Sequence, residues 1–133
     1  MVWLKAVRSV AGVLIGYALM GLLITIVQET WFGGVSYTKS SIGVLAVSGF
    51  FTFLSAVVGG YAAGLIAGHH PGWHGAVMSL MVACETTWLI SSGRTHDPIW
   101  FDTAAAGSLV LGLMLGSLLQ ACIVARPHTP ARA

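Results

Sequence analysis

The sequence predicts an all-α, polytopic membrane protein in which four transmembrane helices form one bundle and both termini face the cytoplasm. The first observation is compositional. Of 133 residues, 56% are apolar and only 8% charged, and the mean hydropathy is +0.87. Soluble domains carry about 25% charged residues, so this chain is too poor in charge to clothe a water-facing surface. The second is segregation of the charges. No Asp, Glu, Lys or Arg lies between Arg8 and Glu29, between Lys39 and Glu85, or between Asp102 and Arg126. A spanning helix needs about 20 mostly apolar residues to cross about 30 Å of hydrocarbon. The first and last gaps hold one such helix each, and the middle gap holds most of two. The third is the placement of basic residues. With four spans, Lys5, Arg8, Arg126 and Arg132 share one side, while Lys39 and Arg94 share the other with Glu29, Asp97 and Asp102. Positive charge favours the cytoplasmic side, which predicts N-in and C-in.

Each element has its own local signals. Helix one is predicted over 4–29. Its apolar run from Ser9 to Val27 exceeds the roughly 7–15 residues of a secretory signal core, and no Ala-x-Ala site follows, so a retained helix is expected. Trp31-Phe32-Gly33-Gly34 ends it, glycine being a poor helix former. Helix two is predicted over 41–68, capped by Ser40 or Ser41. His69-His70-Pro71-Gly72 makes a short turn into an antiparallel helix three, predicted over 73–91. Ser92 to Pro98 reads as a polar loop, and Asp102 as the N-cap of helix four over 103–125. A tail over 126–133, with Pro127 and Pro130, completes a single domain spanning 1–133. Trp3 and Trp73 fall at the inner interface and Trp31, Phe32, Trp100 and Phe101 at the outer one, the depth amphipathic rings prefer.

Within lipid, helices associate through small residues that let backbones approach. Such residues recur at four-residue spacing in every helix: Gly12 and Gly16; Ala56, Gly60, Gly64 and Gly68; Gly75, Ser79 and Ala83; Ser108, Gly112 and Gly116. Glycine is common in membrane helices, but a stripe in all four predicts a tightly packed bundle.

Glu85 is the leading candidate for a functional residue. It sits about 6–9 Å below the outer end of helix three at 1.5 Å per residue, where a carboxylate is costly unless protonated, paired or wetted. The functional reading is a proton- or cation-binding group. The plainer one is a protonated side chain bonded to Thr86, Thr87 or a backbone carbonyl. Glu29, near the same boundary, is a further member of a polar site or simply a solvated helix end. At about 100° per residue, His74, Met78, Met81, Glu85 and Trp88 share one face of helix three, roughly opposite Gly75, Ser79 and Ala83. A helix with two faces to cover is expected to be central, or to be covered by another subunit.

Other chemistry is sparse. His69, His70 and His74 cluster at the inner turn, and His96 lies beside Asp97 with Asp102 near. Zinc takes about four N, S or O ligands, but an interfacial polar turn accounts for these residues more simply. No histidine lies mid-helix to hold haem, so no cofactor is expected; bound lipid or quinone against Met78, Met81 and Trp88 is a third class. Gln28 and Gln120 are read as hydrogen-bonding across the bundle. Cys84 and Cys122 fall at different depths, as packing residues rather than a disulfide. No nucleotide, protease or hydrolase motif occurs, and a net charge of +2 gives no reason to expect nucleic acid.

The stretch Val58-Gly59-Gly60-Tyr61-Ala62-Ala63-Gly64-Leu65-Ile66-Ala67-Gly68, followed by His70-Pro71-Gly72-Trp73-His74-Gly75, resembles a group of small four-helix bacterial inner-membrane proteins without assigned function. Their pattern is Gly-Gly-Tyr-x-Ala-Gly-x-x-Ala-Gly, a short turn, then His-Gly. The chain departs from it in placing His69 and His70 where arginines are usual. The resemblance implies the four-helix architecture and a bacterial inner membrane, and no activity.

Two functions are expected from these residues: an accessory subunit of a larger membrane complex, partnered by other membrane proteins, or a small homo-oligomeric transporter or channel in which Glu85 takes a proton or cation.

Overall fold

The computed structural model describes residues 1–125, which form four long helices and no strand. The tail over 126–133, and with it Arg126 and Arg132, lies outside the described residues. α1 is Val2–Thr25 and continues into a π-type turn, Ile26–Trp31. Gly33 and Gly34, with φ of 64° and 93°, stop it there, because left-handed backbone is cheap only for glycine. α2 is Ile42–Ala67; the Ser41 hydroxyl accepts from the Val44 amide at its start, and Gly68 caps its end at φ 69°. Arg8 of α1 reaches that end, its Nε donating to the Ile66 carbonyl at 3.2 Å. A cation there complements the partial negative charge of a helix C-terminus.

Two helix starts differ from the sequence expectation. α3 is Pro71–Ser91, so the turn is tighter than predicted and Pro71 opens the helix, a position that needs no N–H donor. α4 is Ile99–Val124 with Pro98 as its N-cap. Asp102 is therefore not the cap but lies in the first turn, where a carboxylate also meets the helix dipole.

Three segments are long and apolar enough to cross a membrane: Val2–Trp31, Ile42–Ala67 and Ile99–Val124. That fits a membrane protein built as a helix bundle. α3 is more polar, since it carries His74, Glu85, Thr86 and Thr87.

The centre of the bundle is α2, so of the two expectations for helix three, central or covered by another subunit, the first does not hold. α1 and α4 both lie along α2, α3 packs chiefly on α4, and α1 and α3 barely touch. The reason lies in two adjacent lines of small residues on α2. Gly59, Ala63 and Ala67 receive α1: a Cβ on Gly12 would stand 2.7 Å from the Ala63 carbonyl oxygen, and one on Gly16 2.7 Å from that of Gly59. Ala56 and Gly60 receive α4, with Gly60 against the Leu113 carbonyl, Gly112 against that of Phe53 and Gly116 against that of Val57. At the inner end Gly64 meets Pro71 and Gln120, while Gly75 joins α3 to Ser117 of α4. Gly68 lies beside the Arg8 guanidinium rather than a helix backbone. The core between these seams holds Met20, Ala56, Ala63, Met78, Val82 and Leu113.

Candidate functional site

α3 is covered along only half its length. His74, Gly75, Met78, Ser79 and Val82 are buried. Beyond them Ala83, Cys84, Glu85, Thr87, Trp88 and Ser91 are exposed. The predicted partner face is thus divided. His74 and Met78 turn into the bundle, Met81 is half-buried, and only Glu85 and Trp88 remain open. Ala83 and Ser108, expected in helix seams, are exposed and half-buried respectively.

Among the described residues Glu85 has one side-chain partner. The Tyr17 hydroxyl of α1 donates to its Oε2, bridging the open side between α1 and α3. Neither threonine takes that role: Thr87 donates to the Ala83 carbonyl one turn back at 2.7 Å, and Thr86 is half-buried without a bond to the carboxylate. Glu29 is exposed on the π-type turn and belongs to a different place. Tyr17 was missed in the sequence. The signal was there, since a phenol in the middle of an apolar helix needs a partner for its O–H. What sequence alone does not supply is which helix faces it. Trp88 is likewise engaged, with the Arg94 guanidinium 4.7 Å above its ring, a cation–π distance.

The inner turn gathers the three histidines as expected, with ring centroids of His69 and His74 5.6 Å apart and of His69 and His70 6.0 Å apart. Three of their six ring nitrogens are bonded to protein. His69 bonds the Ala67 carbonyl through Nδ1 at 2.7 Å and Ser9 Oγ through Nε2 at 3.1 Å. His74 Nδ1 bonds the His70 carbonyl at 3.1 Å. Among the described residues no group of three or more His, Cys, Asp or Glu side chains is arranged to hold a metal ion. Beside the histidines an open groove of about 540 Å³ runs between α1 and α3, lined by Ser9, Val10, Val13, Leu14, Trp73 and Val77 as well.

A second cavity, of about 390 Å³, lies at the opposite end among α1, α2 and α4. Gln28 donates to Thr52 across it at 3.3 Å, as expected of that glutamine. Asp97 accepts from Ser36 at 3.5 Å, and one Asp102 oxygen is buried without a partner among the described residues. His96 does not line this cavity. Gln120 fares differently from Gln28: it is buried, and its Oε1 has no partner among the described residues. Cys84 and Cys122 are both free and exposed.

No known protein family, curated protein or solved structure matches the chain.

Proposed function

We propose that the protein is an accessory subunit of a larger complex in a bacterial inner membrane, spanning it four times with both ends in the cytoplasm, and that the outer half of α3 is where its partner packs. α3 completes the four spans because its 21 residues reach about 31 Å at 1.5 Å per residue, and it runs antiparallel to α2 and α4. One observation carries the reading. Glu85 lies on an exposed surface, in a segment flanked by Cys84 and Trp88 that none of the described helices covers. A carboxylate facing lipid costs several kcal/mol, and a single tyrosine bond does not replace its hydration. A neighbouring helix that covers Ala83, Cys84, Glu85 and Thr87 and brings the carboxylate a donor or a cation offsets that cost.

Cys84 provides the test, being exposed within the same patch. A Cys122→Ser protein, cross-linked through Cys84 in native membranes and purified in mild detergent, is expected to carry a fixed set of other membrane proteins. Free modification of Cys84, with a stable monomer after extraction, would overturn the reading. The alternative, a small homo-oligomeric transporter or channel, is supported by the Tyr17–Glu85 bridge, which sets a phenol hydroxyl against a carboxylate on the open side between α1 and α3. Cross-links only to a second copy move it ahead. Proteoliposomes of wild type and Glu85→Gln then decide it: equal, background-level flux removes transport.

A further inference from the structure

We propose that the groove between the inner ends of α1 and α3 is a binding site for an anionic phospholipid, with an acyl chain along its apolar wall and the phosphate at its basic mouth. The proposal needs the chain to sit in a bilayer but not to have a protein partner.

The shape suits an amphiphile. Val10, Val13, Leu14, Trp73 and Val77 make the wall of the roughly 540 Å³ groove, and Ser9, His69, His70 and His74 stand at one end. Helical spacing sets Tyr17 one turn beyond Val13 and Glu85 two turns beyond Val77, so their bridge closes the other end. A chain entering from the mouth therefore has two helical sides and a stop.

Charge decides which amphiphile. All four acidic residues, Glu29, Glu85, Asp97 and Asp102, belong to the opposite end of the bundle. The mouth has His69 after α2, and His70 and His74 on or beside α3, with no carboxylate among the groove's lining residues, and the exposed Lys5 lies one turn before Ser9 on α1. Arg8 is turned instead to the end of α2, its Nε on the Ile66 carbonyl and its guanidinium against Gly68. His74 is 6% exposed, lines the groove, and has no partner for Nε2 among the described residues once Nδ1 is used.

The setting of the histidines points the same way. His69 links the Ala67 carbonyl through one nitrogen and Ser9 Oγ through the other, and Ser9 Oγ lies 3.0 Å from the Lys5 carbonyl. The groups around it are Ser9 and Lys5 from α1, the Ala67 carbonyl from α2, and His70 and His74 from α3. None is acidic, so a phosphate meets no like charge there. Basic pockets between membrane helices bind anionic headgroups.

The test places the protein in phosphatidylcholine bilayers containing a small fraction of either brominated phosphatidylglycerol or brominated phosphatidylcholine. Bromine quenches tryptophan on contact, and the share from Trp73 is isolated by difference from Trp73→Phe. Brominated phosphatidylglycerol is expected to quench Trp73 at a several-fold lower fraction. The Lys5→Gln/His70→Asn double variant, at two exposed positions, is expected to lose that preference by about fivefold or more, the value of one basic side chain near a headgroup. Lys5→Gln alone carries the same expectation should the double variant unfold. Equal quenching by the two lipids, or a preference untouched by these substitutions, would overturn the site.

Discussion

Tyr17 and Glu85 join α1 to α3 across a gap that little else bridges. Hydrogen bonds between membrane helices are worth about 0.5–2 kcal/mol, so Tyr17→Phe should lower stability by an amount in that range, and Glu85→Gln by less, because the amide oxygen still accepts from the phenol. Their double variant should lose little more than Tyr17→Phe alone, because that bond is already gone. A double-mutant cycle of unfolding midpoints in detergent measures this, and strictly additive losses would dissolve the bridge. Gln120 is the reverse case. Its buried Oε1 has no partner among the described residues, and an orphaned polar atom costs about 1–3 kcal/mol. Gln120→Leu, of similar volume, is therefore expected to raise the unfolding midpoint; a drop would mean that the amide is satisfied. Glu85 was legible in the sequence because a lone carboxylate within an apolar run is conspicuous. Tyr17 was not, since a tyrosine is ordinary in itself and its importance arises from the residue that α3 brings opposite.

Among the helices, α4 offers a controlled comparison between two glycines. A Cβ on Gly116 would run into the Val57 carbonyl of α2, whereas nothing lies within 4 Å of one on Gly107. Gly116→Ala must push the helices apart and should cost about 1–3 kcal/mol, as overpacking does. Gly107→Ala meets no obstacle and should gain up to about 1 kcal/mol from helix propensity. Thermal unfolding of the two single variants checks the pair, and equal effects would contradict the α2–α4 seam. The small-residue stripes were visible at four-residue spacing, and Gly12, Gly16, Gly60, Gly112 and Gly116 all sit at backbone contacts. The second line on α2, with Gly59, was passed over as part of the same glycine-rich stretch. That line makes α2 the central helix and leaves the outer half of α3 bare.

For the bundle as a whole, the proposed topology sets the Lys39 loop and the His70 turn on opposite sides of the membrane. In a Cys84→Ser/Cys122→Ser background, a membrane-impermeant maleimide should label Lys39→Cys in intact cells. His70→Cys should react only after permeabilisation. Labelling of both from one side would mean that α2 does not cross, and the reverse pattern would invert the orientation. The lipid groove and the uncovered half of α3 both lie along or beside the weakly closed α1–α3 side, so the bundle presents its polar chemistry where its own packing is thinnest.

Composition and charge segregation alone determined the class of the protein, an all-helical bundle with membrane-spanning segments, because hydropathy acts along the chain and needs no neighbour. The turn at His69-His70-Pro71 and the Gly33-Gly34 break were readable for the same reason: backbone conformation there is a local property. Only the tertiary structure decided that α2 rather than α3 is central, that Tyr17 meets Glu85, and that three histidines stand at the mouth of an apolar groove. Each of these depends on which faces of two helices meet. Helical periodicity shows what a face contains, but the fit of backbones through small residues selects its neighbour.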